Sequence, residues 1–164
     1  MSKRLNLREF QQNLIDRLQQ TGLFESRVTT LGVQIAGKNW LVDMGDIGEV
    51  LPVPGLTIVP FTRSWFRGVA NVRGNLYSVI DLAAYQHSGT ASGDANNRVL
   101  LVSDRHDFNA ALLVDRVLGL RDANNWQTSE FEGQTGYQDE SGEHWRKLDL
   151  QGLLTQPEFL QAGI

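Results

Sequence analysis

The side chains able to do chemistry are few, and their spacing supports little of it. His87, His106 and His144 are the candidate metal ligands and general bases, but they fall in a polar loop, a hairpin tip and a late polar stretch. No spacing puts two of them on one face of a helix or strand, as a metal site would require. Asp104-Arg105-His106-Asp107 sets acid and base types side by side, the raw material of proton transfer. The run lies between two apolar stretches, where a polar turn is expected in any case. Glu130, Glu132, Asp139, Glu140 and Glu143 lack the regular spacing of a cation-binding loop and read as solvated. There is no Gly-x-Ser-x-Gly elbow, no Walker loop and no Gly-x-Gly-x-x-Gly. The chain has no cysteine, which excludes disulfides, thiolate zinc sites and cysteine nucleophiles. The expectation is a protein that is not an enzyme and carries neither cofactor nor metal.

Binding chemistry is what remains. Arg63, Arg67 and Arg73 cluster in a chain that carries nineteen acids against fifteen bases and a formal charge of -4. Arginine suits bidentate pairing with a partner's carboxylates, although a solvated basic face would look the same in sequence. Trp65 and Phe66 are adjacent, so they cannot both point inward from an extended strand. Either one of them anchors a partner, or both pack from a helical turn. The acidic balance is a poor match to phosphate neutralisation, so no nucleic acid partner is expected. The longest apolar run, Ala110 to Val114, is far short of the roughly 20 residues that span a bilayer, so no direct membrane insertion is expected.

The elements that must position these residues are mostly strands. Leu7, Phe10, Leu14 and Leu18 form one stripe of an amphipathic helix over residues 7 to 20, started by Asn6 and Glu9 and stopped by Gly22. Its mixed polar face argues for packing on the body of the protein or on a partner rather than on a membrane surface. From Arg27 the apolar residues alternate, with breaks every 8 to 12 residues or so. Leu31, Val33 and Ile35 share a strand face, Gly37-Lys38-Asn39 turns the chain, and Trp40 to Asp43 returns it. Further strands are expected over Glu49 to Pro52, Gly68 to Arg73, Leu76 to Asp81, Arg98 to Ser103, Asn109 to Val114 and Val117 to Leu120. Gln86 to Asn97 reads as an exposed loop between two β halves, and Asn124 to Gly142 as a second loose region. The division expected is 1-26 for the helix and connector, 27-155 for the β body and 156-164 for a tail.

The most informative stretch runs from Gly68 to Leu82. Gly74-Asn75 suits a two-residue primed turn pairing Arg73 with Leu76, Val72 with Tyr77, Asn71 with Ser78 and Ala70 with Val79. Ala70, Val72, Tyr77 and Val79 would then form the core face, leaving Asn71, Arg73, Ser78 and Leu76 outward.

This segment, Asn71-Val72-Arg73-Gly74 followed by Val79-Ile80-Asp81-Leu82, resembles the signature of the CheW-like family of chemosensory adaptors. Gly48-Glu49-Val50-Leu51, Ser64-Trp65-Phe66-Arg67-Gly68 and Leu112-Leu113-Val114-Asp115-Arg116-Val117 resemble other parts of it, so the likeness runs from about Val28 to about Leu154. Gly-Val-Ala-Asn-Val-Arg-Gly, the N-terminal helix and the tail with Trp145, Leu150, Leu153, Pro157 and Phe159 look more like the type IV pilus version than the flagellar one. Ser78 stands where a proline is common, and Asp122 to Gly142 has no clear counterpart. The resemblance implies an all-β fold of two small five-stranded SH3-like barrels, here preceded by an N-terminal amphipathic helix. It implies a cytoplasmic adaptor, recruited to membrane-associated receptor arrays, that binds the cytoplasmic tip of a methyl-accepting chemoreceptor and the regulatory domain of a CheA-type histidine kinase. A flagellar chemotaxis adaptor is the alternative, and a small β-barrel ligand-binding module the more distant one. Glu49 and Arg73 match the family's acidic residue and signature arginine, and an ion pair between them would position the turn. Asn71, Trp65, Phe66 and Arg67 complete the expected partner surface.

Overall fold

Thr30, Leu31, Val33 and Ile35 are all buried on the first strand, β1 (Thr30–Ile35), which pairs antiparallel with β2 (Lys38–Asp43). The computed structural model describes residues 29–131, 134–161 and 163. The turn between β1 and β2 is Ala36-Gly37, with φ of 52° and 77°, so it falls one residue earlier than expected and Lys38 already belongs to β2. That pair of left-handed residues has the twist that a two-residue hairpin needs.

The chain then passes through the 3-10 turn Met44–Asp46 into β3 (Ile47–Pro52), β4 (Phe66–Val72), β5 (Asn75–Asp81), the short helix α1 (Leu82–Tyr85), β6 (Arg98–Val102) and β7 (Ala110–Val114). These five strands form one sheet in the order β3-β6-β7-β5-β4, parallel between β5 and β7. Beyond Asp115, β8 (Arg116–Arg121), β9 (Gln127–Phe131), β10 (Gln134–Gln138) and β11 (His144–Lys147) join β1 and β2. The second sheet is ordered β8-β1-β2-β11-β10-β9. The helices α2 (Leu150–Leu154) and α3 (Pro157–Leu160) follow.

The fold is therefore mostly β in two small sheets, of six and five strands rather than five each. The additional pairing comes from the region expected to be loose, where β9 and β10 pair from Gln127↔Gln138 to Phe131↔Gln134. Little apolar alternation marks these strands. They are held by the ladder and by Trp126, whose ring lies 5.3 Å from that of Trp145. Gln86 to Asn97 links β5 and α1 to β6 within the five-stranded sheet, so it does not separate two halves. The helix expected over residues 7 to 20 lies outside the described residues.

Two apolar clusters explain the strand sequences. Ala70, Val72, Val79, Val99, Leu101, Ala111 and Leu113, with Leu51 and Tyr77 against them, draw on all five strands of the five-stranded sheet and fill the inside of its curl. The alternate residues Ile80, Leu100, Val102, Ala110, Leu112 and Val114 face Leu31, Val33, Ile35, Trp40 and Val42 in the larger core. β6 and β7 are thus covered on both faces, which is why Ala110 to Val114 is uninterruptedly apolar. The C-terminal segment joins this core: the Phe159 ring stacks 6.0 Å from Trp65 and meets Tyr85 at 5.6 Å and Phe108 at 5.7 Å.

Candidate functional site

The signature hairpin turns at Arg73-Gly74, with φ of 51° and 86°, not at Gly74-Asn75. Asn71 Oδ1 accepts the Gly74 N–H at 2.9 Å, and this side-chain bond favours the earlier turn. Val72 therefore pairs with Asn75, Asn71 with Leu76, Ala70 with Tyr77 and Val69 with Ser78. Each partner has moved by two residues, a shift that keeps every side chain on its face. Ala70, Val72, Tyr77 and Val79 remain on the core side, and Asn71 and Leu76 point outward.

Arg73 donates to Glu49 through both guanidinium nitrogens, Nη1 reaching Oε1 at 3.3 Å and Nη2 reaching Oε2. Glu49 lies on β3 and Arg73 at the end of β4, the two opposite edges of the five-stranded order. The pair thus spans the seam where the sheet curls back on itself. The Arg73 hydrogen bond holds the Glu49 carboxyl below its ordinary range, and the carboxylate in turn raises the Arg73 guanidinium. Arg73 is 67% exposed and Glu49 36%, so the pair lies at the surface.

Arg67 and Asp81 form a second pair at the other end of the β4–β5 hairpin, Nη1 to Oδ2 at 3.3 Å. Asp81 is fully buried; it caps α1 through the Ala84 N–H at 3.3 Å and accepts the Ala91 N–H at 2.9 Å. Trp65 is not a surface anchor: it is 3% exposed, in T-shaped contact with Tyr85 at 5.1 Å and stacked on Phe159. Phe66 is half-buried against the same core, so both aromatics pack. The exposed apolar residues lie elsewhere. Ile58 and Phe61 are 81% and 82% exposed, and Leu76 is 59% exposed beside Asn71. Their segment runs along the free edge of β4, where Thr57 and Val69 exchange hydrogen bonds of 2.9 Å. Gly68 permits that approach, because a Cβ there would lie 2.5 Å from the Thr57 carbonyl oxygen. Ile58 and Phe61 were legible as apolar residues between Pro54 and Arg63, but without periodicity nothing marked them as exposed.

Among the described residues no group of three His, Asp or Glu is placed to hold a metal ion. His106 instead meets the buried Asp46, Nε2 to Oδ1 at 2.8 Å, next to Arg105. The signature hairpin thus brings a paired sheet edge and a polar turn to the surface, with Leu76 exposed beside them.

A family model described as the CheW-like domain matches residues 29–158. The chain belongs to the CheW-like family. This CheW-like chain is 36% identical over 91 residues to Protein PilI of Pseudomonas aeruginosa, covering 56% of the chain and 51% of that protein. It is 32% identical over 78 residues to the chemotaxis protein CheW of Thermotoga maritima, covering 48% of the chain and 50% of that protein. The chain therefore matches about half the length of each. The crystal structure of the scaffolding protein TtCheW from Thermoanaerobacter tengcongensis superposes with a TM-score of 0.64 over 80% of this chain and 95% of that one, at 20% identity. That likeness bears on the fold, and it matches the two-sheet CheW-like arrangement described above.

Proposed function

We propose that this CheW-like chain is a non-catalytic adaptor that couples the cytoplasmic tip of a chemoreceptor to the regulatory domain of a CheA-type histidine kinase, in the chemosensory control of type IV pili and twitching motility. The observation that carries the reading is the bidentate Glu49–Arg73 pair at the seam of the five-stranded sheet, in a chain whose family model spans residues 29–158. A solvent-open charge pair contributes orientation and specificity more than stability. Arg73, Glu49 and the outward Asn71 and Leu76 form the receptor-facing surface, with Phe66 and Arg67 supporting it from β4. The identity to PilI and the resemblance of the signature hairpin favour pilus over flagellar output. No helix among the described residues is long and apolar enough to cross a membrane.

The test is affinity capture from a lysate of the source cells with wild-type protein and Arg73→Glu side by side, each shown to be folded by its melting curve. The expected result is recovery of a chemoreceptor and a histidine kinase, with the receptor depleted in the variant and the melting temperature unchanged. Recovery of neither by folded wild-type protein would refute the adaptor reading. Equal receptor recovery by Arg73→Glu would refute the surface.

A further inference from the structure

The element order sends the chain from one sheet to the other at two places, after β2 and after β7. An aspartate sits at each crossing, and neither belongs to the partner surface described above. At the first, Asp46 is 6% exposed; its carboxylate accepts from His106 Nε2 at 2.8 Å and pairs with Arg105, both in the β6–β7 connection of the five-stranded sheet. Its carbonyl oxygen also accepts the Ser103 N–H at 2.8 Å. At the second, Asp115 divides its two oxygens between the sheets. Oδ2 accepts the Ala36 N–H in the β1–β2 turn at 2.7 Å, and Oδ1 accepts the Ser92 N–H in the 86–97 loop at 2.7 Å. Its own N–H donates to the Gln34 carbonyl on β1 at 3.0 Å.

The apolar core between the sheets holds them together without specifying an angle, because hydrophobic attraction is non-directional. Hydrogen bonds to a carboxylate are directional and strong. The geometry points to Asp115 as a clasp that sets the relative orientation of the two sheets, and so the spacing between surfaces carried on each, whereas the partners of Asp46 all lie on the five-stranded sheet. This goes beyond the proposed function, since it concerns the fold whichever partners bind. Asp115→Asn is the sharpest perturbation: the side chain keeps its shape, but its amide nitrogen must now face one of two backbone N–H donors, leaving that donor without an acceptor.

The chain has no cysteine, so Thr128→Cys on the six-stranded sheet and Asn75→Cys on the five-stranded one, both exposed positions, allow paired spin labels. The labelled protein is expected to give a single narrow distance peak. In the Asp115→Asn background that peak should broaden, and the Ala36 or Ser92 amide should exchange at least about tenfold faster, as loss of one charge-assisted bond implies. Asp149→Ala removes the cap on the Gly152 N–H at 3.0 Å, outside both crossing segments, and should lower stability while leaving the peak narrow. A peak that stays narrow in Asp115→Asn, or one that Asp149→Ala broadens as much, would overturn the assignment.

Discussion

Replacing Asp81 with alanine strips three partners from one fully buried carboxylate, and the cost can be worked from those partners. The cap on α1, made to the Ala84 N–H at 3.3 Å, is worth about 1 kcal/mol. The Ala91 N–H, now 2.9 Å from Oδ2, is left without an acceptor at a part-buried position, which costs about 1–3 kcal/mol. Arg67 is 42% exposed and turns to water at little cost. These terms come to about 2–4 kcal/mol, and recovery of the desolvation of the buried carboxylate offsets part of it, so Asp81→Ala should lose about 1–3 kcal/mol. For a domain of this size that corresponds to a melting temperature lower by about 2–12 °C. Urea unfolding measures the loss, and amide exchange at Ala91 locates it. A loss below about 1 kcal/mol, or undiminished protection at Ala91, would refute the claim that Asp81 ties the signature strand to the loop over residues 86–97.

Phe159→Ala should cost about 3–5 kcal/mol, because the ring is 3% exposed and touches Trp65, Tyr85 and Phe108; a urea midpoint close to wild type would show that the C-terminal segment is not part of the core. Acid titration should separate two carboxylates by their cause. Asp139, hydrogen-bonded first by the Trp145 indole at 2.9 Å and then by Ser141 and Glu143, is held at about 2 against an ordinary 3.8. Because its folded-state value is the lower one, its stabilising effect is complete above about pH 4 and is lost as the pH falls towards 2. Glu49, lowered from 4.5 by Arg73, should behave in the same sense, and Arg73→Ala should return it towards that value. Carboxyl NMR shifts read both, and a Trp145 indole signal that ignores the Asp139 titration would contradict the bond.

Sequence reading succeeded where burial is periodic. Leu31, Val33 and Ile35, and the Ala70, Val72, Tyr77 and Val79 face, follow from alternation, since a strand sends neighbours to opposite sides. The hairpin register was misplaced by one turn position because Arg73 had to enter the left-handed region, a conformation that arginine seldom adopts. The Asn71 side chain favours it through its bond to Gly74, and such side-chain to backbone bonds leave no period in the sequence. β9 and β10 escaped notice for a related reason: their pairing rests on backbone ladders and on Trp126 against Trp145, not on an apolar face. Of the partner residues, Glu49 and Arg73 were carried by resemblance and meet as expected, whereas Trp65 proved to be core.

What the sequence alone determined was class: strands from alternation, no thiol chemistry from the absence of cysteine, and the CheW-like family from the resemblance of the signature around Arg73. What tertiary structure decided was which residues meet. Glu49 reaches Arg73 across 24 positions, Asp46 reaches His106 across 60, and Asp115 reaches Ala36 across 79, each because a curled sheet or a crossing brings distant strands together. Local propensity acts over a few residues, whereas contacts of this span exist only once the apolar cores have closed and removed the chain entropy that otherwise keeps them apart.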